Sequence, residues 1–467
     1  MLFSSVFFIF LFLPLFLLLF FIIGQRYRDY FLLLASISFY AWGEPTFCMI
    51  ALVSATIDYA LGHCIFYFKK QAKYYLTLGI IANLSVLVYY KYINFFLSNL
   101  APLFPKNSFH FELFTIALPI GVSFIVFEKI TYLVDIYRGL GKPAATILNY
   151  LNYVFLFPKL LAGPIIKYHE IETQLHHRML TSDDAAEGFK RFIRGLIKKV
   201  FFADTCGTIV NLVFALSPSE LSCQSAWLGI VCFTLQIYFD FSGYSDMALG
   251  LSRMMGFRLK ENFNMPYISG SFTEFWRRWH ISLSTWIREY LYIPLGGNQV
   301  TPSRMMVNLW ICFILSGLWH GANWTFILWG AYNGFFLMLD KFFWLNMTKS
   351  WPKMITVAIT FLLIMLGWVI FRSQSFSQII YYFSALFHFS IQSTVFIDIT
   401  PDRMTAILLG LGFIFATILP GYKQINPLYL QWNWRLHFEG FFFGILGLLS
   451  IAKMVGVSYN PFLYFRF

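Results

Sequence analysis

Two histidines in the stretch 272–334 are the side chains whose type and setting best suit chemistry. His280 ends the aromatic and basic run 274–280 (EFWRRWH), and His320 follows the apolar segment 307–319. A polar ring in an apolar setting needs a hydrogen-bond partner or a chemical task. A neutral imidazole is a natural general base near neutral pH, so it could take a hydroxyl proton as the oxygen attacks an activated acyl group. A hydrogen-bonded structural histidine is the competing interpretation at both positions.

Polar residues recur around His280 at a helical interval. Arg277, His280, Ser284 and Arg288 stand at positions i, i+3, i+7 and i+11, which places side chains on one face of a helix. The spacing predicts a half-buried helix whose polar stripe faces a cavity and which ends at residues 292–298 (YIPLGGN). His280, with its neighbours Arg277 and Arg278, could hold an oxyanion or an anionic donor, and Ser284 belongs to the same stripe.

The surroundings of His320 supply further candidates. Ser316 precedes it by one helical turn and can reach its ring or backbone region, and Trp319 and Trp324 flank it with large amphipathic rings. We count Ser316, Asn323 and Trp324 as candidate cavity residues. Metal binding is an alternative use of two histidines, but they stand 40 residues apart, without HxxxH or HxxE spacing and without a third ligand. We therefore predict no metal site.

Two carboxylates interrupt the otherwise apolar segment that includes residues 236–246 (QIYFDFSGYSD). Asp240 and Asp246 would be costly inside a membrane unless they face a polar interior and have partners. They are six residues apart, about 240° around a helix, so they share a face only if the helix breaks at Gly243. This favours a network that supports helix packing over a paired-carboxylate acid/base site, with Asp240 and Ser242 supporting the cavity.

The elements that position these residues are predicted to cross a membrane. Of the 467 residues, 58% are hydrophobic and 12% are charged, whereas soluble domains carry about a quarter charged residues. Long apolar runs favour helices, because barrel strands would alternate polar and apolar residues. We expect one all-α membrane domain over residues 1–467, with about ten to twelve crossings of roughly 20 residues each and additional re-entrant and interfacial helices. The apolar segments are 1–23, 31–54, 74–98, 114–134, 147–165, 194–217, 225–250, 305–321, 323–345, 354–371, 404–419 and 438–455.

The charged residues indicate membrane topology and argue against nucleic-acid binding. The formal net charge is +12, but the basic residues lie in short stretches between apolar segments and form no long basic arm. Arg26 and Arg28 follow a retained first span, which places the N-terminus outside. The polar segment 167–199 is predicted to be cytoplasmic, with an amphipathic helix from Ala185 onward that anchors to lipid headgroups or docks an anionic donor or carrier. Six cysteines without paired spacing indicate neither a disulfide framework nor a zinc site.

Two apolar segments are interrupted in ways that allow alternatives. Residues 156–164 (LFPKLLAGP) contain two prolines and a glycine, which predicts either a re-entrant turn lining a cavity or a kinked helix. Asp58 and His63 interrupt residues 49–68, which form either another crossing or a buried helix. In both segments the polar groups must be satisfied by protein or by a water-filled cavity.

Several long motifs resemble those of one known family, and together they extend over most of the chain. The motifs are residues 1–5 (MLFSS), 157–164 (FPKLLAGP), 240–246 (DFSGYSD), 275–286 (FWRRWHISLSTW), 290–297 (YLYIPLGG) and 317–322 (GLWHGA). They are similar to the membrane-bound O-acyltransferase family, and in particular to its bacterial branch, the membrane subunits of alginate and peptidoglycan O-acetylation. This resemblance shifts the interpretation of the two histidines from structural to catalytic.

The resemblance also implies a mechanism and a cellular place. It implies a helical funnel with the invariant family histidine at His320 and the second motif histidine at His280. It implies acyl transfer from a cytoplasmic thioester, acetyl-CoA in this branch, toward a polysaccharide outside, with a separate outer acyltransferase as partner and no bound cofactor. The expected location is the bacterial inner membrane. The alternatives are D-alanyl transfer to teichoic acids from a carrier protein, and glycan transport without chemistry, although no paired repeat typical of transporters is found.

Overall fold

All regular structure in the described part of the chain is helical. The computed structural model describes residues 1–103, 116–388, 399–418, 435–456 and 462–463, and the regular elements there are α-helices with short 3-10 and π turns. The predicted all-α class is confirmed for these residues. The chain divides into two compact units, residues 1–192 with 247–260 and residues 193–246 with 261–467.

The first unit contains the N-terminal helices. They are α1 (Leu13–Ile22), α2 (Arg28–Ala41), α3 (Pro45–Tyr67), α4 (Ala72–Leu87), α5 (Ile93–Leu100), α6 (Val122–Arg138), α7 (Ile147–Phe155), α8 (Phe157–Leu160), α9 (Tyr168–His176) and most of α10 (Ser182–Ile197). Short 3-10 turns at Gln25–Tyr27, Lys69–Gln71 and Ala101–Leu103 and π turns at Phe8–Phe12 and Val88–Tyr92 join or extend them.

The second unit contains the two histidine motifs. Its helices are α11 (Asp204–Val213), most of α12 (Cys223–Met254), α13 (Phe272–Arg278), α14 (Ile281–Ile287), α15 (Pro302–His320), α16 (Trp324–Leu339), α17 (Leu345–Met347), α18 (Lys353–Arg372), α19 (Phe376–Phe387), α20 (Arg403–Phe413) and α21 (Arg435–Gly456). Its shorter turns are Lys198–Ala203, Pro266–Ile268, Arg288–Tyr292, Asp340–Trp344 and Ile414–Ile418.

Several of these helices are long and apolar enough to cross a bilayer. Four described stretches meet this condition, namely Pro45–Tyr67, Lys69–Leu100, Cys223–Met254 and Lys353–Arg372. Shorter apolar helices lie at Phe8–Ile22, Phe376–Phe387, Arg403–Thr417 and Gly444–Gly456. The chain is thus a multi-pass membrane protein, and the total of ten to twelve crossings stays a prediction.

The predicted apolar segment 31–54 is interrupted, and the ambiguous segment that follows it is one continuous helix. α2 ends at Ala41 and α3 begins at Pro45, where the missing N–H of a proline is tolerated in the first turn. The buried carboxylate of Asp58 within α3 lies 3.1 Å from the Lys129 ammonium and accepts a 2.9 Å hydrogen bond from Asn83. These partners satisfy the charge that interrupts the apolar pattern in the sequence.

Residues 156–164 break the helix instead of bending it. α7 ends at Phe155, and the single turn α8 follows before the chain turns again at Gly163. A Cβ at Gly163 would lie 2.3 Å from the Lys159 Cα, so this turn needs glycine. Lys159 is buried and pairs with the Glu128 carboxylate. The continuous kinked helix is therefore wrong, while the cavity beside the turn stays a prediction.

Candidate active site

The predicted continuous helix with a polar stripe is broken at His280. α13 ends at Arg278 and α14 begins at Ile281, and His280 between them has φ +44° and ψ +55°. This left-handed conformation is rare for residues other than glycine. Arg277 is exposed on α13, whereas the Ser284 hydroxyl on α14 donates a 3.4 Å hydrogen bond to the Trp279 carbonyl. The predicted shared face of these polar residues is therefore wrong.

Asn262 holds the break in place. Its side-chain Oδ1 lies 3.1 Å from His280 Nδ1 and accepts hydrogen bonds from the Ser282 N–H at 3.1 Å and the Ser282 hydroxyl at 2.9 Å. Its backbone carbonyl accepts a 2.9 Å hydrogen bond from the Ile281 N–H. Asn262 was not predicted as part of the site, because its hydrogen bonds join residues 18 to 20 positions apart and no local pattern in the sequence marks them.

His280 lies in an aromatic environment. Its side chain is buried, and its ring centroid lies 4.6 Å from the ring of Phe241 and 6.0 Å from the ring of Trp319. Burial lowers the pKa of His280 to about 3, because a charged imidazolium would lose its hydration there. The ring is therefore neutral at physiological pH.

His320 ends α15 in the same aromatic cluster. Its ring centroid lies 4.9 Å from Trp319, 5.1 Å from Trp329 and 5.4 Å from Phe371. The side chain is only 6% exposed. Trp319 thus contacts both histidines, and the structure brings together two rings that are 40 residues apart in sequence. Trp329 and Phe371 were not predicted as parts of the site.

Two glycines allow the helices that carry this cluster to pack closely. A Cβ at Gly317 on α15 would lie 2.2 Å from the Phe326 carbonyl oxygen, and one at Gly330 on α16 would lie 2.3 Å from the Phe313 carbonyl oxygen. No side chain fits at these distances, so the two backbones meet directly, as they do at small-residue contacts between membrane helices. This contact sets the position of Trp329 against His320.

The other candidates from the His320 motif occupy different positions. Asn323 caps α16, because its Oδ1 accepts a 3.1 Å hydrogen bond from the Thr325 N–H and its Nδ2 donates to the Gln374 carbonyl. Trp324 begins α16 and is 50% exposed. Ser316 is buried one turn before the histidine. Asn323 therefore has a clear structural role.

The carboxylates of α12 pair with lysines and not with each other. α12 continues through Gly243 without a break. Asp240 lies 2.7 Å from the Lys199 ammonium, and Asp246 lies 2.6 Å from the Lys198 ammonium. This confirms the packing-network interpretation over the paired acid/base site. Ser242 is buried between them on α12.

Lys199 links several segments of the second unit. Besides Asp240, it contacts Asp204 at 2.9 Å, and Asp240 also accepts a 2.6 Å hydrogen bond from the backbone N–H of Leu463. Lys199 ends the polar segment 167–199 that the sequence predicts to be cytoplasmic, but its side chain is 4% exposed. Position along a basic run could not reveal this burial.

Comparisons with known proteins connect this chain to acyl transfer. Residues 64–384 match the model of the MBOAT, membrane-bound O-acyltransferase family. The chain is 44% identical to the "Probable alginate O-acetylase AlgI" of Azotobacter vinelandii, over 92% of this chain and 86% of that protein. It is 35% identical to the "Peptidoglycan O-acetyltransferase" of Helicobacter pylori, over 80% and 77% of the two chains. It is 26% identical to the "Teichoic acid D-alanyltransferase" of Bacillus subtilis, over 60% and 75%.

Proposed function

Because the chain belongs to the membrane-bound O-acyltransferase family, we propose that it moves an acetyl group from cytoplasmic acetyl-CoA toward hydroxyl groups of a cell-wall or extracellular polysaccharide. The relatives named as alginate and peptidoglycan O-acetylating enzymes support acetyl transfer and a polysaccharide of either type as acceptor. The observation that carries the proposal is the contact of His280 and His320 with one indole, Trp319, inside the range that matches the family.

In the proposed reaction His320 is the general base. The hydroxyl that first receives the acetyl group, on the outer acetyltransferase or on the polysaccharide, gives its proton to the imidazole as its oxygen bonds to the thioester carbonyl carbon. The carbon–sulfur bond then breaks, and the leaving thiolate takes the proton back, so the ester and the free thiol are the products. General base catalysis of this kind contributes about a hundredfold to ten-thousandfold in rate. The closely packed aromatic rings around His320 exclude water that would otherwise hydrolyse the thioester.

The remaining candidates are proposed to support this step. Arg277, exposed on α13, would bind the phosphates of the donor, because a guanidinium matches phosphate geometry. Ser284, Ser316 and Trp324 would line the site. Asp240 and Ser242 would hold α12 beside it, and Asn323 would fix the start of α16 next to His320.

We further propose how the chain is arranged in the membrane. Residues 1–467 would act as one membrane domain of the bacterial inner membrane, with ten to twelve spans around a central funnel and the catalytic core at 272–334. Residues 167–199, which contain α9 and the amphipathic α10, would lie on the cytoplasmic side. A separate acetyltransferase on the outer side would pass the acetyl group to the polysaccharide.

Acetyl-CoA consumption by purified protein tests this function. Wild type and His320→Ala are reconstituted in nanodiscs with radiolabelled acetyl-CoA, with and without the outer acetyltransferase and polysaccharide. We expect thiol release by the wild type and its loss in the variant. If the protein consumes an acylated carrier protein and not acetyl-CoA, the proposed donor is wrong, and the donor is of the kind that a D-alanyl transferase uses. Glycan movement across vesicles without consumption of any thioester would overturn enzymatic function in favour of transport.

A further inference from the structure

The orientation of the Asn262 side chain can be determined from its hydrogen bonds. A backbone N–H is a donor only, so the Asn262 atom that lies 3.1 Å from the Ser282 nitrogen must be the carbonyl oxygen Oδ1 and not the amide nitrogen. The same atom lies 3.1 Å from His280 Nδ1. The oxygen accepts only, so His280 Nδ1 must carry the hydrogen of this bond.

The Ser282 hydroxyl also lies within hydrogen-bond distance of His280 Nδ1, and it does not alter this assignment. It lies 3.5 Å from Nδ1 but 2.9 Å from Asn262 Oδ1. A hydroxyl has one proton, and the shorter contact to an acceptor directs that proton to Asn262. The hydroxyl then presents only its lone pairs to Nδ1, which again requires the proton on Nδ1.

These bonds decide what His280 can do. In a neutral imidazole one nitrogen donates and the other accepts. Because Nδ1 donates to Asn262, Nε2 carries the lone pair and can accept a hydrogen bond from an O–H or N–H group. It cannot donate to an oxyanion, so the oxyanion role suggested for His280 from the sequence does not fit this ring.

The backbone around His280 is held by the same segment that fixes the orientation of its ring. His280 has the left-handed φ of +44°, which is rare for a residue with a Cβ. The Ile281 N–H donates to the Asn262 carbonyl and the Asn264 N–H donates to the Arg278 carbonyl at 2.8 Å, so the chain on both sides of His280 is held by residues 262–264. Both the ring and its backbone are therefore fixed by one short segment.

We propose that Asn262 is a positioning residue for acyl transfer, which fixes His280 as the Nδ1–H tautomer so that Nε2 accepts a hydrogen bond from a substrate O–H or N–H group. The inference rests on the proposed function. The two sources of such a group are the acceptor hydroxyl and the amide of the donor's pantetheine arm. Asn262 touches no reacting atom and acts through His280 alone.

Nitrogen NMR of histidine-labelled protein tests the tautomer directly. The chain has nine histidines, and the signal lost in His280→Gln identifies the ring. We expect a protonated Nδ1 and an unprotonated Nε2 in the wild type. Asn262→Ala should give a mixture of tautomers, whereas Ser282→Ala should leave the wild-type signals in place. A proton on Nε2 in the wild type would overturn the inference whether or not the protein transfers acetyl groups.

Kinetics of the same variants test the positioning role. Loss of one hydrogen bond to the ring should lower acetyl transfer by Asn262→Ala about tenfold or more, mostly in kcat, while Ser282→Ala stays near wild type. Asn262→Asp keeps an acceptor for all three donors and should recover activity relative to alanine. A smaller accompanying rise in KM for acetyl-CoA would identify the pantetheine amide as the partner of Nε2, and such a rise in KM for the polysaccharide or the outer acetyltransferase would identify the acceptor hydroxyl. Unchanged transfer by a folded Asn262→Ala protein would remove Asn262 from the reaction.

The two proposals fail in distinguishable ways. If the wild type consumes no acetyl-CoA but shows the Nδ1–H tautomer at His280, the donor is wrong and the geometry at Asn262 stands. If the wild type consumes acetyl-CoA but His280 carries its proton on Nε2, the proposed function is supported and the proposed role of Asn262 is wrong.

Discussion

Replacing Lys199 by methionine should destabilise the second unit more than neutralising either of its partners. The Lys199 ammonium lies 2.7 Å from Asp240 and 2.9 Å from Asp204, and the Lys199 and Asp240 side chains are 4% and 2% exposed. Methionine fills a similar volume without charge. Lys199→Met therefore leaves two carboxylates without their shared cation, whereas Asp240→Asn leaves the lysine with Asp204.

The expected magnitudes follow from these distances. At 2.7 Å and an effective dielectric constant of about 20, the attraction between Lys199 and Asp240 is about 6 kcal/mol before the loss of hydration is subtracted. Breaking a buried pair by removing one partner destabilises proteins by about 3–5 kcal/mol, which we expect for Lys199→Met. Asp240→Asn exchanges a charged acceptor for a neutral one, so we expect a loss of about 1–2 kcal/mol.

The free energy of unfolding can be measured in mixed micelles by titration with SDS, with the 14 tryptophans as fluorescence probes. Lys190→Met is the matched control, because its ion pair with Glu187 has side chains that are 54% and 50% exposed and should change stability by less than about 1 kcal/mol. Stability of Lys199→Met equal to wild type, or a larger loss in Asp240→Asn, would refute the reasoning.

Three further predictions concern the aromatic cluster. Gly317→Ala should weaken the α15–α16 contact and lower acetyl transfer. Gly334→Ala should be tolerated, because its Cβ would lie 3.4 Å from the nearest neighbouring atom, and thermal unfolding in detergent compares the two variants. Trp319→Phe should lower acetyl transfer in the nanodisc assay because the indole contacts both imidazoles, whereas Trp42→Phe, at a 63% exposed position, should not. Burial lowers the pKa of His280 from 6.5 to about 3, so the unfolded chain binds a proton between these values that the folded chain does not. The free energy of unfolding should therefore fall by up to about 1.4 kcal/mol per pH unit as the pH drops through this window, and His280→Gln should flatten that slope.

The helical class and the two histidines could be predicted because their signals are local. Apolar runs of spanning length identify membrane helices without knowledge of packing. His280 and His320 stand in long motifs, so both could be identified as candidates although they are 40 residues apart. The same applies to the Asp240 network, since a carboxylate in an apolar run requires partners.

The partners themselves could not be predicted, because they depend on contacts between distant segments. Lys199 lies in a basic run that helical periodicity places on a surface, and only the packing of Asp240 against it reveals its burial. The interval from Arg277 to Arg288 suits a helix, but the hydrogen bonds of Asn262 stabilise a break at His280 that the interval cannot show. Tertiary hydrogen bonds overrode local periodicity in this stretch.

The most direct test of the central claim is acetyl transfer by His320→Ala compared with His177→Ala, an exposed histidine outside the aromatic cluster. Both variants are purified from membranes, their unfolding in detergent is compared with wild type, and acetyl-CoA consumption is measured in nanodiscs. We expect His320→Ala to accumulate and fold but to lose acetyl transfer, and His177→Ala to retain it. Acetyl transfer at the wild-type rate by His320→Ala would contradict the assignment of this ring as the base.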